Sequence, residues 1–556
     1  MNNKDSIKIV VELLKAHNIR KIVISPGGTN IFFAKAVQND PFFDCYSVVD
    51  ERSAMYFAIG LYLQTGEPIA TSCTSAQATR NYIPGLTEAY YKNVPILAIT
   101  MSKHPRFIGQ EYMQAPNQTS LPKDSVKKSY MLPYLSDDND YLHCMRLVNE
   151  TILELTHDGP GPVQLCIPWV DFALGSVSKN IKNINRYSDT QNININDKKI
   201  LIVIGEHRPF LSKEKNAIEK FCEEHNCAVY VNHLSNYHGE YVFNGNLALS
   251  VMSHDRFVSL YVPDILISIG GQTGDYPFYR MMSDVQNVNF EHWRVNENGD
   301  VVDTYDKLTK VFQMSIETFF SGFEKENSTH QYFEIWNQIV SKKQIEMSLP
   351  FSNAFIAQDL HNKIPNNSTI QFSILNSLRV WNLFDLDQSI QCYSNVGAFG
   401  IDGGLSTLIG QSVVTDQLCF MIIGDLAFYY DMNSIGIRHI KNNLRIILIN
   451  NNGGVEFKLN KQNNEETDQY IAAANHFKNA EGWAKTCGFD YFSVRNKNEY
   501  IACRDQLLSI SNKPILLEAF VSDVDDADAY SQILDQNREY DFKTYLKKSV
   551  KKFVGK

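Results

Sequence analysis

No apolar run in this sequence reaches the ~18 residues that a bilayer-spanning helix needs, so no membrane segment or membrane partner is expected. Met1 to Lys8 is polar and lacks the apolar stretch of a secretory signal, so no export is expected either. Basic residues are outnumbered, 52 Lys and Arg against 62 Asp and Glu, for a net charge of -10. Binding phosphate backbones calls for basic surface, so nucleic acid is not an expected partner. The basic end, Lys547 to Lys556, reads as a solvated helix terminus. The ten cysteines are scattered, and the closest pair, Cys222 and Cys227, has no histidine pair at ligand spacing. That excludes a zinc site read from spacing and a disulfide framework, and it fits a reduced, cytoplasmic location. No nucleotide fingerprint stands between Lys198 and Phe323, so neither flavin nor nucleotide is expected there.

What is present is an alternation. A chain of 556 residues has room for about three domains. Helical periodicity over Ile7 to Ala16 precedes a short apolar run, Lys21 to Ile24, that ends in Ser25-Pro26-Gly27-Gly28. Ile69 to Cys73, Ile96 to Thr100 and Val163 to Ile167 are further apolar runs. Near-continuous apolar strands separated by helices predict a parallel sheet covered on both faces. Ser176 to Asp197 reads as a linker. The pattern resumes at Ile200 to Ile204, Ala228 to Val231 and Ile265 to Ile269, and pauses again at Glu324 to His330. The last third repeats the first in outline: a helix over Ala354 to Lys363, a strand over Thr369 to Ile374, then Asn376-Ser377. Its other strands are Cys419 to Ile423, Ile446 to Ile449 and Ile515 to Phe520. The expectation is an α/β protein of three doubly wound parallel-sheet domains, 1–180, 195–325 and 335–556, with the outer two alike.

One constellation carries chemistry. Gly424-Asp425-Leu426-Ala427 ends one predicted strand, and Asn450-Asn451-Asn452-Gly453-Gly454 ends the next. Ligands of open α/β sheets bind outside the carboxyl ends of strands. Here those ends supply a carboxylate and amide oxygens, hard ligands suited to Mg²⁺ or Ca²⁺ and able to share the ion with a diphosphate. Each half alone reads equally well as a turn, since Asn, Asp and Gly are common turn residues. Together, with some 25 residues between them, they resemble the signature of thiamine-diphosphate-dependent enzymes.

The resemblance implies thiamine diphosphate and Mg²⁺ as cofactors, with Asp425, Asn451 and the Gly453 carbonyl on the metal. It assigns Glu51, in Asp50-Glu51-Arg52-Ser53-Ala54, to the carboxylate that activates the cofactor's aminopyrimidine. Ile401, in Asn395 to Gly404, aligns with the apolar prop that bends the cofactor. Pro26, Gly27, Ser75, Gly424, Leu426, Ala427, Gly454 and Phe457 complete the implied cofactor contacts. The first domain becomes the pyrimidine-binding one and the last the diphosphate-binding one. The resemblance also implies a homodimer or homotetramer, with Glu51 from one subunit's first domain facing another subunit's last domain.

Within that superfamily the chain is most similar to the menaquinone-pathway synthase, which adds a succinyl-semialdehyde anion made from 2-oxoglutarate to isochorismate. Ser25-Pro26-Gly27, Asp50 to Ala54, Cys73-Thr74-Ser75 with Asn81-Tyr82-Ile83-Pro84, Asn117-Gln118-Thr119 and the Ile401 and Gly424 to Gly454 regions carry the likeness. Gln118 aligns with a glutamine that touches cofactor and substrate, and Ser377 with a serine facing the substrate. Four family arginines are replaced, by Thr29, Trp381, Val396 and Lys103, and Glu456 stands where the family has an apolar residue. Losing planar cations that grip carboxylates bidentately weakens a site for dianionic substrates. The expected reaction is therefore decarboxylation of a small 2-oxo acid donor with acyl transfer to a small-molecule acceptor other than isochorismate. The menaquinone-pathway reaction itself, a simple 2-oxo acid decarboxylase and a non-catalytic thiamine-binding protein stay open as alternatives.

Overall fold

The computed structural model describes residues 4–169, 185–284, 287–300, 302–325, 329–459 and 478–538. The expected basic terminus, residues 326–328 of the second boundary and most of the first linker lie outside the described residues.

Three parallel sheets with interleaved helices form the chain. The first runs Asp44–Ser47, Lys21–Ile24, Ile69–Cys73, Ile96–Ser102, Val163–Pro168, Ser129–Met131. The third runs Gln391–Ser394, Thr369–Phe372, Cys419–Gly424, Leu444–Asn450, Ile515–Phe520, Asp490–Val494. Taken in chain order, both have the same arrangement: second, first, third, fourth, sixth, fifth. The likeness of the outer thirds is thus a repeated topology. In each, the order reverses beside the first strand, which opens a crevice at the carboxyl ends of the first and third strands. The middle sheet has seven strands, in the order Val242–Phe243, Cys227–Tyr230, Ile200–Ile204, Ile265–Ile269, Glu291–Asn296, Leu308–Gln313, Asn185–Tyr187.

The central strands are mostly apolar because both faces are covered: all residues of Ile69–Cys73, Ile200–Ile204, Ile265–Ile269 and Leu444–Asn450 are buried. Asn185–Tyr187, inside the expected linker, is the edge strand of the middle sheet and pairs with Lys310 to Phe312. It was illegible because a three-residue polar edge strand has no apolar pattern to read. The chain divides into two compact units. One gathers residues 1–181, 369–377 and 394–523, and so holds most of the first and third sheets; the other gathers 182–368, 378–393 and 524–556. All ten cysteines are free. Among the described residues no helix is long and apolar enough to cross a membrane.

One packing contact positions Glu51. Its helix, Glu51–Thr65, lies against Ile83–Tyr91 at Gly85, where an added Cβ would stand 2.4 Å from Met55 Cβ. Such a clash forces the backbones apart. The variant Gly85→Ala is expected to lower stability by about 1–3 kcal/mol and to slow turnover, because Glu51 moves with the helix. Thermal unfolding and steady-state kinetics on the same preparation check this. Unchanged values in both would show that the two helices accommodate the methyl.

Candidate active site

The metal-ligand candidates follow the third and fourth strands of the third sheet. Cys419–Gly424 and Leu444–Asn450 pair in parallel with Gly424 opposite Ile449, so their carboxyl ends lie side by side. Asp425 follows the first strand, is 5% exposed, and accepts hydrogen bonds from its neighbour Leu426 N–H at 2.8 Å and from Gly453 N–H, in the other loop, at 2.9 Å. One carboxylate therefore fixes both loops. The three asparagines separate by environment. The Asn450 amide donates to Glu518 at 2.6 Å and accepts from Asn452 N–H at 3.1 Å, which commits it to holding the loop. Asn452 is exposed, at a left-handed φ of 62°. Asn451 is 8% exposed and lies between them in the chain, just past the strand that neighbours Asp425's own.

These residues fit a magnesium diphosphate. The donor set is a carboxylate, an amide and a backbone carbonyl, all hard oxygens. Among the described residues no cluster of three His, Cys, Asp or Glu offers a competing metal site. A Cβ placed on Gly424 would meet nothing within 4 Å, so the strand end opens onto space that a diphosphate can enter. Ala427 is buried, while Leu426 and Gly454 are half-buried. Glu456 begins the helix Glu456–Leu459 and is half-buried. Phe457 is in the same helix, and its side chain lies outside the described residues. Ile401 is half-buried against the third sheet's core.

Glu51 opens its helix, whose N-cap Asp50 accepts from Arg52 N–H at 2.8 Å and Ser53 N–H at 3.3 Å. The Glu51 side chain is buried, and burial pushes its carboxyl up to about 7 against the pull of a hydrogen bond from Tyr430. Asp402 and Asp50 push it further in the same direction. Tyr430 ends the helix that Asp425 begins, so within one chain the activator and the metal-ligand segment already belong to one unit.

The first sheet's crevice is braced by threonines. The Thr29 hydroxyl is 2.7 Å from that of Thr74 and accepts from Ser75 N–H at 2.8 Å. A Cβ on Gly27 would stand 2.3 Å from Thr74 Cβ, so glycine is required for this approach. Pro26 is half-buried and Ser75 is buried. Gln118 is 1% exposed; its carboxamide oxygen accepts from Thr79 and its nitrogen donates to the Ala76 carbonyl at 3.0 Å. Ala76 has φ 77°, a strained value for a residue with a side chain. Gln118 thus braces the strained residue that caps the helix Gln77–Asn81. Lys103 is 8% exposed at the end of Ile96–Ser102, with its ammonium 4.3 Å from the Trp169 ring centre and 5.7 Å from that of Tyr112.

Three substrate candidates depart from expectation. Thr29 spends its hydroxyl on the loop. Val396 is 1% exposed and is a core residue. Trp381, in the other unit, is fully buried, and its indole N–H donates to Asn353 at 3.2 Å, so it is core and not a pocket wall. Apolar volume next to a strand end looks alike in sequence whether it lines a pocket or fills a core. Ser377 is buried at the start of the helix Asn376–Trp381. Sequence reading missed Tyr430, which has no signal beyond its five-residue distance from Asp425, and the strained Ala76 and Leu375, the latter with φ 63°.

The chain also matches known proteins. A family model described as "Thiamine pyrophosphate enzyme, N-terminal TPP binding domain" matches residues 5–121. A 2-succinyl-5-enolpyruvyl-6-hydroxy-3-cyclohexene-1-carboxylate synthase of Bacteroides thetaiotaomicron is 31% identical over 96% of this chain and 99% of its own. Those of Phocaeicola vulgatus and Flavobacterium johnsoniae are 32% and 28% identical, over 93% and 92% of this chain and 96% and 95% of theirs. With the two-strand site of Asp425 and Asn451, the buried Glu51 and this full-length similarity, the chain belongs to the thiamine-diphosphate-dependent enzymes, in the branch of the 2-succinyl-5-enolpyruvyl-6-hydroxy-3-cyclohexene-1-carboxylate synthases.

Proposed function

We propose that the chain catalyses the reaction its relatives are named for, decarboxylating 2-oxoglutarate and adding the resulting four-carbon acyl unit to isochorismate. The observation that carries this reading is similarity at 31% identity across 96% of the chain, which favours that activity over the different acceptor expected from the missing arginines. Bound thiamine diphosphate supplies the electron sink for the charge that decarboxylation leaves behind. Asp425, Asn451 and the Gly453 carbonyl hold Mg²⁺ on the diphosphate. Glu51, poised near neutrality, lends and takes back a proton at the aminopyrimidine edge. Ile401 sets the cofactor's bend. Lys103 attracts a substrate carboxylate, Ser377 donates to the substrate, and Gln118 keeps the loop at Ala76 in shape. The working assembly is a homodimer or homotetramer, and the three-domain division at 1–180, 195–325 and 335–556 follows the family plan.

A second reading keeps the chemistry and changes the substrates. It is favoured by Thr29, Val396 and Trp381, three buried, uncharged residues at positions where the family resemblance implies arginine. In that reading Glu456 favours an acceptor less anionic than isochorismate, and pyruvate is the donor. CO₂ release with thiamine diphosphate and Mg²⁺ separates the two when 2-oxoglutarate and pyruvate are compared with and without isochorismate. The first reading expects 2-oxoglutarate to be preferred and isochorismate to be consumed with it. Faster turnover of pyruvate replaces it with the second, and aldehyde release without acceptor marks a simple decarboxylase.

A further inference from the structure

The short helix Asp425–Tyr430 begins with the metal-ligand candidate and ends with a phenol that reaches the first sheet's Glu51. We propose that Tyr430 is a positioning residue for Glu51: its hydroxyl, oriented by Asn81, holds one carboxyl oxygen and sets how readily Glu51 gains and loses its proton. The inference rests on the reading of Glu51 as the activating carboxylate and goes beyond it by naming what controls that group.

The geometry is a relay of three side chains. Asn81 Nδ2 donates to the Tyr430 oxygen at 2.6 Å, and the Tyr430 hydroxyl donates to Glu51 Oε2. Because Asn81 supplies a donor, the phenol's single proton is directed to the carboxylate. Burial and the adjacent Glu51 raise Tyr430 far above the usual phenol range, so it remains a donor at every working pH. Apart from Glu51's own backbone N–H, which also favours ionisation, the other groups that act on Glu51 either oppose it or stay neutral. Asp50 and Asp402 push Glu51 up, and Asp431 in turn pushes Asp402 up. Cys73 and Tyr82, both buried and facing Glu51, are raised well above their usual values and are uncharged. The Tyr430 hydroxyl is therefore the side chain that favours the ionised carboxyl against burial and two acids. A hydrogen bond to a charged acceptor is roughly twice as strong as one between neutral groups.

Infrared titration of the cofactor-free protein, with the Glu51 carboxyl band assigned by its loss in Glu51→Gln, reads the effect directly. The wild-type midpoint is expected near pH 7. In Tyr430→Phe it should move up by about one pH unit, since a charged hydrogen bond is worth at least ~1.4 kcal/mol. Asn81→Ala, which frees the phenol to turn, should move it the same way by less. The limb of the kcat/KM–pH profile that Glu51→Gln abolishes should follow Tyr430→Phe by the same amount, with KM for the 2-oxo acid unchanged. An unmoved infrared midpoint in Tyr430→Phe overturns the proposal. If that variant does not fold, an unmoved midpoint in Asn81→Ala does so instead. A shifted midpoint with an unmoved rate profile leaves the Tyr430–Glu51 link standing and removes Glu51's assignment as activator.

Discussion

The variant Asp425→Ala is expected to lose magnesium-dependent binding of thiamine diphosphate, with affinity falling at least about 100-fold. Disturbing groups behind metal ligands already costs 10–100-fold in many metal sites, and loss of a charged ligand costs more. The effect has two parts here. The carboxylate supplies the negative charge of an otherwise neutral donor set. It also ties the Leu426 and Gly453 amides together, so its removal releases the loop that carries Asn451. Quenching of intrinsic fluorescence by thiamine diphosphate, titrated at fixed Mg²⁺, measures the loss without requiring turnover. Asp425→Asn separates the parts, because an amide oxygen can still accept from one N–H but carries no charge. Asn451→Ala should weaken binding and Asn452→Ala should leave it nearly intact, as the burial of one and the exposure of the other require. Unaltered affinity in Asp425→Ala would place the metal elsewhere.

The second large effect is on rate. Glu51→Gln is expected to bind the cofactor and to lower kcat by about 10²–10⁴-fold, the usual contribution of a positioned acid–base group. Glutamine keeps the shape of the side chain and its hydrogen bonding to Tyr430 but cannot exchange a proton. The same substitution has a consequence for stability whose sign follows from the raised value of the native carboxyl. Between the ordinary glutamate value of 4.5 and about 7, the folded protein holds a proton that the unfolded chain has lost. Stability contributed by the neutral buried carboxyl is therefore fully present below about pH 4.5 and declines as pH rises through 7. The variant lacks this decline. It should gain relative to wild type by about 3 kcal/mol between pH 4.5 and pH 8, an upper figure from the size of the shift. Denaturant unfolding at several pH values measures the difference. Parallel stability curves would mean that Glu51 ionises as an ordinary surface carboxylate does.

These two residues differ in how they could be found. Asp425 stands in a local motif, strand end followed by Gly-Asp, and it is a candidate ligand because that motif, with Asn450 to Gly454 on the neighbouring strand end, resembles a family signature. Glu51 has no local signal that separates it from any helix-capping glutamate. Only resemblance singled it out, and its burial, raised carboxyl and partner Tyr430 come from a segment 379 residues away. The replaced arginines show the same limit from the other side. Their loss is visible in sequence, but Val396, Trp381 and Thr29 turn out to be held in cores and loops.

The sequence by itself determined the parallel α/β class, the repeat of the outer thirds and the placing of Asp425 and Asn451 at neighbouring strand ends. Those follow from apolar runs with helices between them and from turn residues at strand termini, all of them local in the chain. Tertiary structure alone decided that Asn185–Tyr187 completes a sheet, that Gln118 braces Ala76, and that Glu51 meets Tyr430 in a buried, acidic setting. Each depends on which distant residue lies within hydrogen-bonding distance and on how much water is excluded around it. Neither quantity is encoded in the spacing of residues along the chain.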